Sequence, residues 1–396
     1  MIKRNAADLL KKLAVGFPVV SITGPRQSGK TTLAQHCFAE KPYVTLEDPD
    51  TRDYALHDPR SFLAQFPDGA VLDEVQRCPD LFSYLQGIVD RDGRMGLFIL
   101  TGSQQFSLKE GISQSLAGRV GMVHLLPLAQ DELLAAGDLP TTLDEFLYKG
   151  SYPPIYTRPV DAFQWYANYV STYLERDVRQ LINVQDLALF QRFLRVCAHH
   201  VGQLVNMTQI ANDCGISQKT VEAWLSVLEA SYLVVRLQPW YRNFNKRLVK
   251  TPKLYFYDTG LVCWLLGIRE VEQVKFHAMR GALFENLVIS ECHKYLFNQG
   301  EHPEIWFWRD RSGHEVDMVL ERGGQFRAVE VKSGQTLSQD QFKGLQFWQE
   351  LTGNAGKALL VYGGEQAQQR TVAEVVPWRN LAGLLAKTQC ITGSNP

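Results

Sequence analysis

The stretch Pro18-Val19-Val20-Ser21-Ile22-Thr23-Gly24-Pro25-Arg26-Gln27-Ser28-Gly29-Lys30-Thr31-Thr32 decides how the first half of this chain is read. The apolar run up to Thr23 reads as a buried strand, and Gly24 through Thr31 matches the pattern G-x-x-x-x-G-K-[ST] of a phosphate-binding loop placed between a strand and a helix. The glycines allow the backbone to fold tightly around an anion, and the following helix adds the positive end of its dipole. Gly24, Pro25, Arg26, Gln27, Ser28, Gly29, Lys30, Thr31 and Thr32 are therefore the expected nucleotide cradle. Lys30 is expected on the β- and γ-phosphates and Thr31 on Mg²⁺, so the expected cofactors are ATP and Mg²⁺.

A second phosphate-site signal lies in Gly69-Ala70-Val71-Leu72-Asp73-Glu74-Val75, a buried strand delivering two carboxylates at its end. Asp73 is expected to hold the metal shell, and Glu74 to orient the attacking water as the catalytic carboxylate. A third apolar run, Leu97-Phe98-Ile99-Leu100, ends in Thr101-Gly102-Ser103-Gln104. Ser103 is the expected γ-phosphate sensor, with a helix N-cap as its structural alternative. In Leu116-Ala117-Gly118-Arg119-Val120, Arg119 is expected to contact nucleotide from its own or a neighbouring subunit, an ordinary ion pair being equally open. The segments Glu47-Asp48-Pro49-Asp50 and Asp58-Pro59-Arg60 read as turns without a chemical role.

Bulk properties narrow the classes. A chain of 396 residues has room for two or three domains. Lys plus Arg total 41 against 42 Asp plus Glu, which excludes a global basic field, so any nucleic-acid contact must come from a local patch. The seven cysteines are scattered singly, without C-x-x-C pairs, which fits reduced thiols and a cytoplasmic setting. The start of the chain has no apolar signal core, and no segment approaches ~20 uninterrupted apolar residues, so no membrane contact is expected.

Aromatics at helical spacing from Phe146 to Tyr173 predict a packed helical lid or linker, with Arg176 in Tyr173-Leu174-Glu175-Arg176-Asp177-Val178 read as a surface partner, a nucleotide-facing group being its alternative. Beyond it, Ile210, Ala211, Gly215, Ile216, Ser217, Val221 and Leu225 are spaced as a helix-turn-helix. Strands Tyr232–Leu237 and Lys253–Tyr257 follow, enclosing Arg242, Lys246, Arg247 and Lys250, which completes a winged helix. Gln218, Lys219 and the wing cations fit duplex phosphates, while Glu222 and Glu229 on the same helix leave protein packing open as the alternative.

The last third places Glu285 on a mostly apolar helix, Glu315 and Asp317 on one face of a strand, and Glu330 and Lys332 on one face of another. Asp317 and Glu330 on neighbouring strands would make an oxygen-rich Mg²⁺ site, completed by Glu285, with Lys332 placed to orient or deprotonate water; such a set can hydrolyse a phosphodiester. A half-buried hairpin with solvated charges is the plain alternative.

With these residues in hand the chain resembles the prokaryotic AAA-type ATPases that carry a C-terminal restriction-endonuclease-like domain. The likeness rests on GPRQSGKTTL, VLDEVQRCPDLFSYLQ, ILTGSQ, SLAGRV, YLERDV, YDTGL, GALFEN, EVD and EVK. It implies an α/β fold: a P-loop AAA-type parallel-sheet core over 1–140, a helical lid or linker over 141–190, a winged-helix domain over 191–268, and a small PD-(D/E)XK-like domain over 269–396. It implies further that Asp317, Glu330 and Lys332 match the nuclease motif and that Glu285 matches its helix acid. The expected function is an ATP-binding, ATP-hydrolysing protein whose nucleotide state controls a DNA-binding half, with Mg²⁺-dependent DNA cleavage and homo-oligomer formation as open extensions. The alternative is a nucleotide-gated protein-interaction switch with a non-catalytic nuclease-like scaffold.

Overall fold

Strands β1 (Val19–Thr23), β2 (Tyr43–Thr45), β3 (Ala70–Asp73), β4 (Phe98–Gly102) and β5 (Val120–His124) form one parallel sheet in the order β2-β3-β4-β1-β5. These assignments come from a computed structural model, which describes residues 2–102, 115–174, 186–240, 249–322, 325–353 and 357–383. Every residue of β1, β3 and β4 is buried, because helices cover both faces. Alternate strand residues serve the two cores. Val20, Ile22, Val71 and Ile99 pack with helices Ala6–Gly16 and Lys30–Cys37. Val19, Ala70, Leu72 and Leu100 pack with Phe62 and Leu63 of helix Pro59–Ala64 and with Leu81, Phe82 and Leu85 of helix Leu81–Asp92. Since all five strands run the same way, the ends of β1, β3 and β4 gather on one edge, where open α/β sheets bind ligands.

The two Pro-containing segments first read as turns open helices instead. Pro49 and Pro59 occupy the first turns of helices Pro49–His57 and Pro59–Ala64, where a missing N–H costs nothing. Asp58 caps the second of these through the Ser61 N–H at 3.1 Å.

Helices Leu143–Lys149, Pro153–Thr157 and Ala162–Tyr169 follow the sheet. Their aromatics form a core in which Trp165 stacks on Tyr169 at 5.0 Å and 17°. Helices Leu187–His199, Met207–Cys214 and Gln218–Ala230 come next, the last two meeting across a turn at Gly215. Asn206 and Ser217 cap them, accepting the Gln209 and Thr220 N–H groups at 3.0 Å each. An antiparallel ribbon of β6 (Val234–Leu237) and β7 (Lys253–Phe256) closes this region. Arg176, Arg242, Lys246 and Arg247 lie outside the described residues.

The C-terminal part is a separate mixed sheet: β8 (Ile305–Arg309), β9 (Glu315–Arg322), β10 (Gln325–Lys332), β11 (Ala358–Tyr362), β12 (Gln368–Gln369) and β13 (Ala373–Pro377), in the order β12-β13-β11-β10-β9-β8. β8, β9 and β10 form an antiparallel meander, helix Lys343–Thr352 crosses over, and β11 pairs in parallel with β10. Helix Arg280–Asn298 packs on one sheet face and against β5 and β7 as well. It is largely buried, and two of its charged residues are matched internally: Glu291 accepts the Gln130 N–H at 2.7 Å, and Lys294 donates to Glu291, Ser151 Oγ and the Leu128 carbonyl at 2.7, 2.8 and 3.0 Å. The observed fold is thus α/β, a P-loop-type parallel sheet followed by a mixed-sheet domain. Among the described residues no helix is long and apolar enough to cross a membrane.

Candidate functional site

The loop after β1 turns back on itself, and its shape follows from its glycines. A Cβ at Gly24 would clash with the Leu125 carbonyl oxygen, and Gly29 sits at φ +93°, where side chains are disfavoured. Helix Lys30–Cys37 then starts with Lys30 buried, its ammonium donating to the Gly24 and Pro25 carbonyls at 3.0 and 2.8 Å. The loop is therefore pre-curled around the cation that a triphosphate would share. Thr31 Oγ1 donates to Asp73 Oδ1 at 3.1 Å, so the expected metal ligands from β3 and from the loop already meet. Both are hard oxygen donors, the set that suits Mg²⁺.

Two further hydroxyls hold Asp73. Thr101, at the end of β4, donates to the same oxygen, and Tyr43, at the start of β2, donates to Oδ2 at 2.8 Å. Burial, reinforced by the Asp73 hydrogen bond, holds the Tyr43 phenol well above its ordinary range. Glu74 follows at φ +55°, an uncommon conformation for a side-chain-bearing residue, and accepts from Gln76 Nε2 at 2.5 Å. Arg26 approaches Glu47 at 4.0 Å, and Arg77 joins the same carboxylate at 3.3 Å, so Glu47 ties loop to sheet.

Arg4 carries no motif in the sequence and is nonetheless part of this site. It is buried, donating to the Ser28 carbonyl at 2.6 Å, to the Leu126 carbonyl at 2.7 Å and to Glu132 Oε2 at 3.0 Å. Glu132 also accepts the Asn5 and Ala129 N–H groups at 2.6 and 2.8 Å, so one buried ion pair fastens the chain start, the phosphate loop and the segment after β5.

Two expectations for this site take a different form. Arg119 precedes β5 and pairs with the amino-terminal end of β1, its carbonyl accepting the Val19 N–H at 3.2 Å. That is the edge of the sheet opposite the phosphate loop, and its guanidinium is bidentate on Asp90, at 2.5 and 2.9 Å, so it does not meet the nucleotide cradle of its own chain. Ser103 lies outside the described residues.

A second cluster forms where β9 and β10 part. Their ladder ends at Met318–Val329, while β10 continues alongside β11 to the pair Lys332–Tyr362. In the gap the Asp317 carboxylate accepts the Val331 N–H at 2.8 Å, and Lys332 reaches Glu330 at 2.5 Å and Asp317 at 4.0 Å. The expected trio of Asp317, Glu330 and Lys332 is brought together. Glu285 also faces this cluster, held by Lys253 at 3.0 Å and by the Tyr255 hydroxyl. Burial and the Asp317 charge push Glu285 up to about 7 and Glu330 up to about 8. A shared metal position for Glu285, Asp317 and Glu330 is not preformed: among the described residues no three His, Cys, Asp or Glu side chains gather closely enough to hold an ion. Lysines stand among the acids, and Lys253 is the one the sequence did not single out. Only its β7 position, next to charged partners from two other elements, reveals it.

The phosphate loop, the β3 carboxylate and the strand order define a P-loop AAA-type ATPase. The family profile described as an AAA domain matches residues 16–134, and two described as domains of unknown function (DUF8612 and DUF4143) match 140–272 and 280–381. The uncharacterized proteins Rv2008c of Mycobacterium tuberculosis and Mb2031c of Mycobacterium bovis are each 33% identical over 339 residues, covering 85% of this chain and 75% of theirs. The chain belongs to the family of these AAA-domain proteins. Among solved structures the Walker-type ATPase PABY2304 of Pyrococcus abyssi is similar, at 14% identity and TM-score 0.47, over 67% of this chain and 96% of that one.

Proposed function

We propose that the protein is a Mg²⁺-dependent ATP hydrolase acting as a switch, in which the state of the nucleotide is passed to a DNA-contacting, winged-helix middle region. One observation carries this reading: the last residue of β1, Thr23, directly before Gly24, is hydrogen-bonded to Tyr232, in the turn that joins the second helix of the helix-turn-helix to β6. A loop that rearranges around a triphosphate therefore pulls on the middle region through a direct contact. In the hydrolytic step Lys30 would neutralise the phosphates, Thr31 and Asp73 would hold Mg²⁺, and Glu74 would align water.

DNA contact is supported by the exposed helix start at Ser217, Gln218 and Lys219, and by Arg236, which takes up Glu222 at 2.9 Å and Glu229 at 2.7 Å and so offsets part of the acidic charge on that helix. The test measures Mg-ATP hydrolysis and salt-dependent duplex binding with and without a non-hydrolysable ATP analogue. Hydrolysis lost by roughly a hundredfold in Lys30→Ala, with duplex affinity that depends on nucleotide, is the expected outcome. Unaltered hydrolysis in Lys30→Ala, or duplex binding indifferent to nucleotide and to Lys219→Ala, refutes the respective part.

A second reading, Mg²⁺-dependent DNA cleavage, is favoured by the meeting of Asp317, Glu330 and Lys332 where β9 and β10 part. Plasmid nicking that disappears in Asp317→Ala would support it.

A further inference from the structure

A carboxylate accepts hydrogen bonds on two oxygens, and donors on both of them fix its rotation. In Asp73 the two oxygens are served by different parts of the fold. Oδ1 accepts from Thr31 Oγ1 at 3.1 Å and from Thr101, while Oδ2 accepts from the Tyr43 hydroxyl at 2.8 Å. Thr31 and Thr101 come from the helix after the phosphate loop and from β4, whereas Tyr43 opens β2, the edge strand of the sheet. Asp73 is 7% exposed, so its oxygens depend on these hydroxyls.

The same edge segment also holds Asp73 by its backbone. Thr45 stands opposite Asp73 in the parallel register, and the Leu46 N–H donates to the Asp73 carbonyl at 3.0 Å. Tyr43 and Leu46 thus grip the side chain and the main chain of one residue. Tyr43 is 39% exposed, with its hydroxyl turned inward to Asp73. Partial burial, and then the bond to Asp73, holds the phenol above its ordinary range, so the hydroxyl keeps the proton it donates. A Thr31 hydroxyl that gives its own proton to Asp73 Oδ1 keeps its lone pairs free for a hard cation. That arrangement needs Oδ1 to stay turned toward Thr31, and the bond on Oδ2 secures it.

We propose that Tyr43 is a positioning residue for the Mg²⁺ that accompanies the nucleotide: by holding Oδ2 it keeps Asp73 Oδ1 on Thr31, and the threonine then offers its lone pairs to the ion. Tyr43 acts through Asp73. Hydrogen-bond partners of this kind, one step behind a metal ligand, change metal affinity by about ten- to a hundredfold when removed. The role rests on the hydrolase reading above.

The experiment uses the full chain with ADP, so that no turnover intervenes, and Mn²⁺ as the probe, followed by the paramagnetic resonance signal of the free ion. In Tyr43→Phe, which keeps the ring, the Mn²⁺ affinity of the ADP complex is expected to fall about tenfold, while ADP uptake without metal stays within about twofold of wild type. In ATP hydrolysis the half-saturating Mg²⁺ concentration should rise by a similar factor, with turnover at saturating Mg²⁺ close to wild type. In an Asp73→Asn background Tyr43→Phe should cause no further loss, since its route to the metal is already cut. Equal Mn²⁺ affinity in Tyr43→Phe and wild type, an equal loss of metal-free ADP uptake, or the same tenfold loss on top of Asp73→Asn overturns the positioning role and leaves the hydrolase reading standing. A wild type that takes up no ADP, or takes it up indifferently to Mn²⁺, counts against the hydrolase reading and removes the positioning role with it.

Discussion

The Tyr232 hydroxyl lies 2.9 Å from Thr23 Oγ1 and 2.7 Å from His124 Nδ1, and Thr23 and His124 end the two adjacent strands β1 and β5. Tyr232 makes this contact at φ +54°, a backbone conformation disfavoured for a side chain with a Cβ and sustained only when its surroundings over-determine it. Tyr257 packs beside it, and the ribbon that begins two residues later ends with the Leu237–Lys253 pair in the carboxylate cluster. One short antiparallel ribbon therefore spans from the strand end that carries the phosphate loop to the acids of the C-terminal sheet.

Tyr232→Phe keeps the ring and removes both hydrogen bonds. The expected cost is about 1–2 kcal/mol of stability. ATP affinity should stay within a few-fold, while the protection that nucleotide confers on the amides of β6 and β7 in hydrogen exchange should be lost. Nucleotide-dependent protection that persists in the variant would rule out a link through Tyr232.

Arg4→Met leaves the buried Glu132 carboxylate without its cation. Breaking a buried pair in this way costs about 3–5 kcal/mol. Because Arg4 also holds the Ser28 carbonyl at 2.6 Å, nucleotide uptake should weaken together with thermal stability. Denaturant unfolding and calorimetric ATP titration check the two effects separately.

Arg119→Ala should leave nucleotide affinity unchanged, since its guanidinium is engaged by Asp90 at the opposite edge of the sheet. A loss of affinity in the monomeric protein would contradict that placement. A loss of turnover that appears only at concentrations where copies associate would instead identify an arginine supplied to a neighbour.

His293, on the buried helix Arg280–Asn298, is held down to about 4 by burial, with the Ile289 carbonyl 2.9 Å from its Nδ1 and the Tyr257 ring 5.4 Å away. Its ordinary value is near 6.5, so between the two the unfolded chain binds a proton that the folded one does not. Stability is then complete above pH 6.5 and falls as pH drops toward 4, by about 3 kcal/mol in all. Urea unfolding at pH 7 and pH 5 should show this slope, and His293→Leu should flatten it. An equal slope in the variant would assign the pH dependence to other groups.

Much of the nucleotide site was legible because its chemistry is local. Gly24 to Thr31 must turn tightly within one loop, and Asp73 must end a buried strand, so spacing and apolar runs suffice to find them. The helix pair capped by Asn206 and Ser217 was legible for the same reason, as were the strands around Asp317 and Glu330. Tyr43 and Arg4 were not, because each reaches Asp73 or the loop from an element distant in sequence and belongs to no recurring pattern, and within the run at the end of β4 it is Thr101 that meets Asp73. Arg119 illustrates the reverse case. Its motif-like surroundings suggested a nucleotide contact, and only the direction of β5 reveals that it sits at the other edge.

The amino-acid order by itself determined the elements and the groups they carry: a phosphate loop between strand and helix, a carboxylate pair at the end of β3, two helices joined by a tight turn, and acids alternating on β9 and β10. These follow from periods of two and of about 3.6 residues and from glycines and caps, all of which act over a few residues. Tertiary structure alone decided what those groups face. It set Tyr232 against Thr23, buried Arg4 on Glu132, and inserted Lys253 from one domain among the acids of the next. A buried charge is tolerated only beside its opposite, and which opposite is within reach depends on how the elements pack.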